Sequence, residues 1–309
     1  MNSPPWSTGP GPNFEDLLAY DRDCFGCDRR RFLELWLFDG AARSFLSRDQ
    51  GSVTGYAVLR RTGNGGLQGH TGGSLTMLKM IQDHLIDISD AADRAILQRF
   101  FKTGPGQYGE GDIFRGIRVP VLRRLSRTYQ ALPLDQAEAL LHSPYHEDRL
   151  LSLLILVRRF AAADEPGREE IHRLYLKNMA YINNWDLVDS SAEHIIGAFL
   201  DSREKSLLYR LARSPGLWER RTAVLATFCF IKRNRYDDTF GIAEILLSDR
   251  EDLIHKAVGW MLRETGKRDP AAEESFLKAN YRRMPRTMLR YAIERFPEAQ
   301  RQAYLKGTI

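Results

Sequence analysis

Asn183-Asn184-Trp185-Asp186-Leu187-Val188-Asp189 opens an apolar-periodic segment that continues from Ser190 to Leu200, and the period is that of a helix. Trp185 and Asp189 stand four residues apart, so an aromatic plane and a carboxylate share one face of the first turns. The segment is one of a series. From about residue 134 the chain reads as helix pairs: 134–142 with 147–162, 167–180 with 185–200, 202–213 with 217–233, 236–247 with 251–265, and 270–283 with 285–295. The second members begin at intervals of about 32 to 38 residues, the length of a helical-hairpin repeat.

Hairpins of this kind bury one face against each neighbour, so stacked pairs share a continuous core and curve, and one helix from each pair lines the inner surface. The expected fold is all-α, a curved right-handed solenoid of HEAT-like helical hairpins with a small α+β fragment at its N-terminal end. Upstream of the pairs, amphipathic helices are expected over 75–88 and 91–102. A glycine-rich stretch, Gly104 to Gly116, follows, and then a helix over Val121 to Leu132 with Pro120 in its first turn. Residues 1–12 have the composition of a disordered tail. Phe14 to Leu37 is helix-like, and Ala42 to Ser47 and Val53 to Arg60 read as strands joined across Asp49-Gln50-Gly51. Thr62 to Gly73 matches no phosphate-binding glycine pattern and reads as a flexible linker. The division expected is therefore 1–73 and 74–309.

With 309 residues, 43% hydrophobic and 28% charged, the chain is long enough for a large core. Its formal net charge of +5 favours a polyanionic partner. No run of about 18 apolar residues suggests a membrane span, and Met1-Asn2-Ser3-Pro4-Pro5 lacks the pattern of a secretory signal. The expected compartment is the cytoplasm. Cys24-Phe25-Gly26-Cys27 has the spacing of half a zinc site, but the remaining cysteine, Cys229, is far along the chain. Free thiols and no metal are expected.

Lys256, Trp260, Arg263 and Lys267 follow i, i+4, i+7, i+11, one stripe of a helix whose core-facing set is Ile254, Ala257, Val258, Met261 and Leu262. Lys and Arg neutralise phosphates and an aromatic ring packs on a sugar or base, so the stripe suits a sugar-phosphate backbone. A solvated basic face with Trp260 completing the core is the plainer reading of one such helix. Repetition favours the groove: Arg220 and Arg221 follow Trp218 one pair earlier, and Pro285-Arg286-Thr287 opens the helix one pair later. Arg118 either extends the groove or is a surface residue. Asp189, set among these cations, weakens phosphate binding unless it meets a positive charge on the ligand. A purine alkylated at N7 or N3 carries that charge and is a good leaving group, and a nearby carboxylate stabilises the oxocarbenium-like state of its departure. The other readings of Asp189 are an ion pair with Arg221 or a carboxylate at a helix start.

Five stretches, in order, resemble the AlkD-like DNA alkylation repair glycosylases: Gly116-Ile117-Arg118-Val119-Pro120, Asn184 to Asp189, Trp218-Glu219-Arg220-Arg221-Thr222-Ala223, Lys256 to Glu264, and Met284-Pro285-Arg286-Thr287. The resemblance covers roughly residues 80 to 305. It implies hydrolytic removal of 7-methylguanine and 3-methyladenine from double-stranded DNA in base excision repair; no metal or cofactor is expected because the substrate is already activated, and a concave groove works as a monomer. It assigns Asp189 as the catalytic carboxylate, Trp185 and Trp260 as the tryptophans at the lesion sugar, and Arg221 and Arg263 as residues beside them and on phosphate. Lys256, Arg118 and Arg286 complete the expected DNA contacts. The rival class is a HEAT-like scaffold that binds DNA structures or proteins without chemistry. Tyr20 to Arg29 with Gly55 to Arg60 look like a piece of a GNAT-type acetyltransferase, about fifty residues and too few for a full acetyl-CoA site.

Overall fold

The computed structural model describes the backbone of residues 42–49, 52–61 and 67–71, and residues 77–309 in full. The expected tail, the helix over Phe14 to Leu37 and the Cys24/Cys27 pair lie outside the described residues. The chain divides into two compact units, residues 1–83 and 84–309.

In the first unit, strands β1 (Ala42–Asp49) and β2 (Ser52–Arg61) pair antiparallel from Ala42 opposite Arg60 to Asp49 opposite Ser52. The hairpin expected from the alternation is present. A third strand, β3 (Leu67–Thr71), pairs antiparallel with β2 and gives the order β1-β2-β3. This corrects the linker reading of residues 62–73. Glycines weaken a free strand, but the open edge of β2 supplies ladder hydrogen bonds that need no side chain.

Helices follow: α1 (Met77–Asp87), α2 (Ala91–Phe100), α3 (Val119–Thr128), α4 (Leu134–Leu141) and α5 (His146–Ala162). Next come α6 (Glu165–Lys177), α7 (Trp185–Asp189), a π-helical turn at Glu193–Gly197, α8 (Ala198–Leu200) and α9 (Ser206–Ala212). The stack ends with α10 (Leu217–Ala226), α11 (Phe228–Ile231), α12 (Asp237–Leu246), α13 (Asp252–Gly266), α14 (Pro270–Asn280), α15 (Arg286–Ala292) and α16 (Glu298–Lys306). The starts have local causes. Asp90, Asp164 and Asp269 cap α2, α6 and α14 through side-chain oxygens that accept first-turn amides, and prolines occupy the first turns of α3, α6 and α14.

The second unit is an all-α stack of HEAT-like hairpins. The first four pairs pack internally, α14 packs on α13, and the second members also pack on one another in the order α5, α7, α10, α13, α15. The set expected to face the core from α13, namely Ile254, Ala257, Val258, Met261 and Leu262, is fully buried. Gly259 permits the close approach of α13 to α15, since a Cβ there would lie 2.4 Å from the Met288 carbonyl oxygen and 2.6 Å from Tyr291 Cβ. The helix α16 was not expected from the sequence. It follows α15 and holds Arg286, whose Nη1 donates to the Leu305 carbonyl at 2.7 Å.

The glycine-rich stretch between α2 and α3 is anchored. The Glu147 carboxylate, in the first turn of α5, accepts the amides of Arg115 and Gly116 at 2.8 Å and of Ile117 at 3.1 Å. Gly116 has φ +87°, and a Cβ there would stand 2.0 Å from the Asp90 carbonyl oxygen, so only glycine fits.

Candidate functional site

Trp185 is the first residue of α7. Asn184, fully buried, accepts the Trp185 amide with Oδ1 and donates from Nδ2 to Asp112, each at 2.8 Å. The Trp185 ring stacks on Phe101 at 5.3 Å and meets the edge of Phe100 at 6.0 Å. Phe101 in turn contacts Phe114 and the His146 ring at 5.1 and 4.9 Å. An aromatic column therefore fixes the plane of Trp185.

The base of that column is charged. His146, buried in the first turn of α5, lies with Nε2 2.9 Å from Asp186 Oδ2 and Nδ1 3.2 Å from Asp112 Oδ2. Burial alone would lower its pKa, but the two carboxylates outweigh burial and raise it to about 9. An imidazolium donates from both nitrogens, one to each acid, while Asp186 Oδ1 is buried without a hydrogen-bond partner. Asp112 also receives Arg149 at 2.5 Å, and although burial opposes it, His146, Arg149 and Asn184 hold its carboxyl below the usual range. The acid next to Trp185, Asp186, is thus structural.

Asp189 ends α7. Arg221, from α10, donates from Nε and Nη2 to its two oxygens at 2.8 and 2.7 Å, and from Nη1 to the Leu253 carbonyl of α13 at 2.6 Å. One guanidinium therefore ties three successive hairpins. Burial pushes the Asp189 carboxyl above its ordinary value while Arg221 pulls against it. A fork of two N–H donors is matched by the ionised carboxylate. The Asp189 side chain is 16% exposed.

A cleft of about 770 Å³ is lined by Trp185, Arg221, Lys256, Trp260 and Arg263. Trp260 Nε1 donates to Glu264 at 3.1 Å. Lys256 pairs with Asp252 at 2.7 Å, which holds it above the ordinary lysine range, and Arg263 pairs with Glu294. Asp189 is not itself a wall residue and reaches the cleft through Arg221. Arg118 and Arg286 lie elsewhere: Arg118 forms a two-pronged pair with Asp93 at 2.7 Å, and Arg286 donates to the Leu305 carbonyl near the end of α16. Arg220 is engaged by Asp249 at 2.7 Å, and Lys267 by Glu264.

The cleft also contains residues that sequence reasoning passed over. Phe100, Lys102, Gln107 and Tyr108 come from the end of α2 and the glycine-rich stretch, and Tyr291 from α15. A lone tyrosine in Gly106-Gln107-Tyr108-Gly109 was the available signal. Among the described residues no group of three or more His, Cys, Asp and Glu side chains could hold a metal ion, and no helix is long and apolar enough to cross a membrane.

The architecture defines a HEAT-like repeat protein whose successive hairpins bring tryptophans and cations into one cleft. The chain belongs to the DNA alkylation repair enzyme family, whose model matches residues 81–296. Residues 17–69 match the acetyltransferase (GNAT) domain model. A search of curated proteins returns no match. Among solved structures, a predicted DNA alkylation repair enzyme from Enterococcus faecalis aligns with TM-score 0.54 and 17% identity over 68% of this chain and 97% of its own, a likeness of fold. The protein smu.31 from Streptococcus mutans UA159 aligns with TM-score 0.41 and 17% identity over 70% of this chain and 96% of its own.

Proposed function

We propose that this family member is a monofunctional DNA glycosylase that hydrolyses the N-glycosidic bond of positively charged N7- and N3-alkylpurines in duplex DNA, acting as a cytoplasmic monomer. The observation that carries the reading is the junction of three hairpins at Arg221, which holds the Asp189 carboxylate beside a cleft walled by Trp185 and Trp260. The alkylated base arrives as a cation, so no acid is required to make it leave. The work left to the protein is to stabilise the sugar's developing positive charge. In this reading Asp189 does so as an anion, and the oxygen lone pairs that Arg221 leaves free orient the attacking water. The faces of Trp185 and Trp260 add attraction for the cationic nucleoside, about 0.5–2 kcal/mol each. Lys256, held protonated by Asp252, suits a phosphate contact and not the neutral amine that imine chemistry requires. The expected product is therefore an abasic site in an uncut strand.

Duplex DNA carrying 7-methylguanine tests the reading. Wild-type protein is expected to release free base, and Asp189→Asn of confirmed fold to lose that release. A wild type that binds duplex and releases nothing returns the chain to the class of non-catalytic scaffolds.

A further inference from the structure

Two of the cations that line the cleft are already neutralised, and by acids more exposed than themselves. Lys256 is 40% exposed at its side chain and Asp252, its partner, 58%; Arg263 is 18% exposed and Glu294 59%. Neither acid is a stray surface group. Asp252 begins α13, where the helix dipole favours a carboxylate, and Lys256, with Thr287 one hairpin on, holds its carboxyl below the ordinary value. Glu294 follows α15 and reaches back to α13. Arg221, by contrast, is buried and committed to Asp189 and Leu253.

We infer that Asp252 and Glu294 are specificity-determining residues that stand in for phosphates on the cleft's cations, so that undamaged duplex must displace two carboxylates before it gains Lys256 and Arg263. The inference rests on the reading of the cleft as a duplex-DNA site. Exposed ion pairs are weak, so a phosphate can exchange for each carboxylate, yet each exchange returns part of what the phosphate contact gains. The net effect is low retention on ordinary DNA, whose only offer to this surface is phosphate. A cationic nucleoside escapes the penalty, because it gains from Asp189 and the two indoles while the released carboxylates add to the negative potential around it.

The test is the affinity for undamaged duplex, by fluorescence anisotropy at several salt concentrations, of wild type, Asp252→Asn, Glu294→Gln and the double variant. Glu169→Gln serves as the control for net charge. Glu169 forms an exposed pair with Arg173 on α6 at 3.0 Å, so its neutralisation changes the charge equally without touching the cleft. Each cleft variant is expected to bind about 2- to 5-fold tighter than the control, the double variant by roughly the product, and undamaged competitor is expected to inhibit base release more strongly. Equal tightening by Glu169→Gln, or none by the cleft variants, overturns the inference, and it does so even if wild type releases 7-methylguanine. Tightening confined to the cleft variants in a protein that releases no base upholds the inference while the glycosylase reading fails.

Discussion

Glu273→Gln is expected to make the protein more stable, and increasingly so as pH rises. Glu273, on α14, is 3% exposed, and its Oε1 has no hydrogen-bond partner. Its other oxygen occupies the space above Gly266, where a Cβ would stand 1.6 Å away. Burial pushes its carboxyl up to about 8, with only Arg263 pulling it down. The folded protein therefore keeps a proton that the unfolded chain releases near the ordinary value of 4.5. A carboxyl raised on folding costs stability as pH climbs from the unfolded value to the folded one, and the cost is constant outside that window. At about 1.4 kcal/mol per pH unit, the penalty is negligible near pH 4, about 3 kcal/mol at pH 7 and about 5 kcal/mol at pH 9. Glutamine keeps the shape and cannot ionise. Urea denaturation at pH 5, 7 and 9 should show wild type and variant diverging by roughly these amounts, with any fixed cost of the amide common to all three. Parallel stability curves across this range would refute the assignment of Glu273 as a buried, unpaired acid.

Two further outcomes follow from the packing. Gly259→Ala places a methyl group against the backbone of α15, and overpacking of about 1–3 kcal/mol outweighs the gain in helix propensity of about 1 kcal/mol; thermal unfolding should fall, and base release with it, because Trp260 and Tyr291 lose their spacing, whereas an unchanged melting temperature would show that the helices part freely. Arg221→Ala leaves Asp189 without its partner between hairpins and should cost about 3–5 kcal/mol, largely recovered in Arg221→Ala with Asp189→Ala; a loss under about 1 kcal/mol would mean that the pair is a surface contact.

Helix periodicity carried the fold because it is local: the buried face of α13 can be read from fifteen consecutive residues, and the structure buries that face. The glycine-rich stretch was opaque for the opposite reason. Nothing within it says that Glu147 will take three of its amides, 30 to 32 residues away, and so nothing says that Tyr108 will wall a cleft. β3 is illegible in composition because its glycines say nothing of the open edge of β2, with which residues 67–71 pair. His146 stood alone in a leucine-rich helix, with its two carboxylates 34 and 40 residues distant.

The distances between charged partners nonetheless have a pattern that the sequence contained. Arg221 finds Asp189 at a separation of 32 residues, Arg263 finds Glu294 at 31, Arg220 finds Asp249 at 29, and Lys232 finds Glu193 at 39. Each is close to one hairpin. In a stack, a residue on a second helix faces the second helix of the next repeat, so an ion pair between layers must be spaced by about one repeat length. A cation with an acid one period away is therefore a candidate for neutralisation before any ligand arrives. By that rule Arg263 and Arg221 are already claimed at the level of sequence, and only cations without such an acid are free to meet a phosphate unopposed. Lys256 shows why the rule must be joined to the helical one, since its acid, Asp252, lies a single turn before it. The two periods, one turn and one repeat, together specify which charges hold the stack and which the cleft must win from a carboxylate.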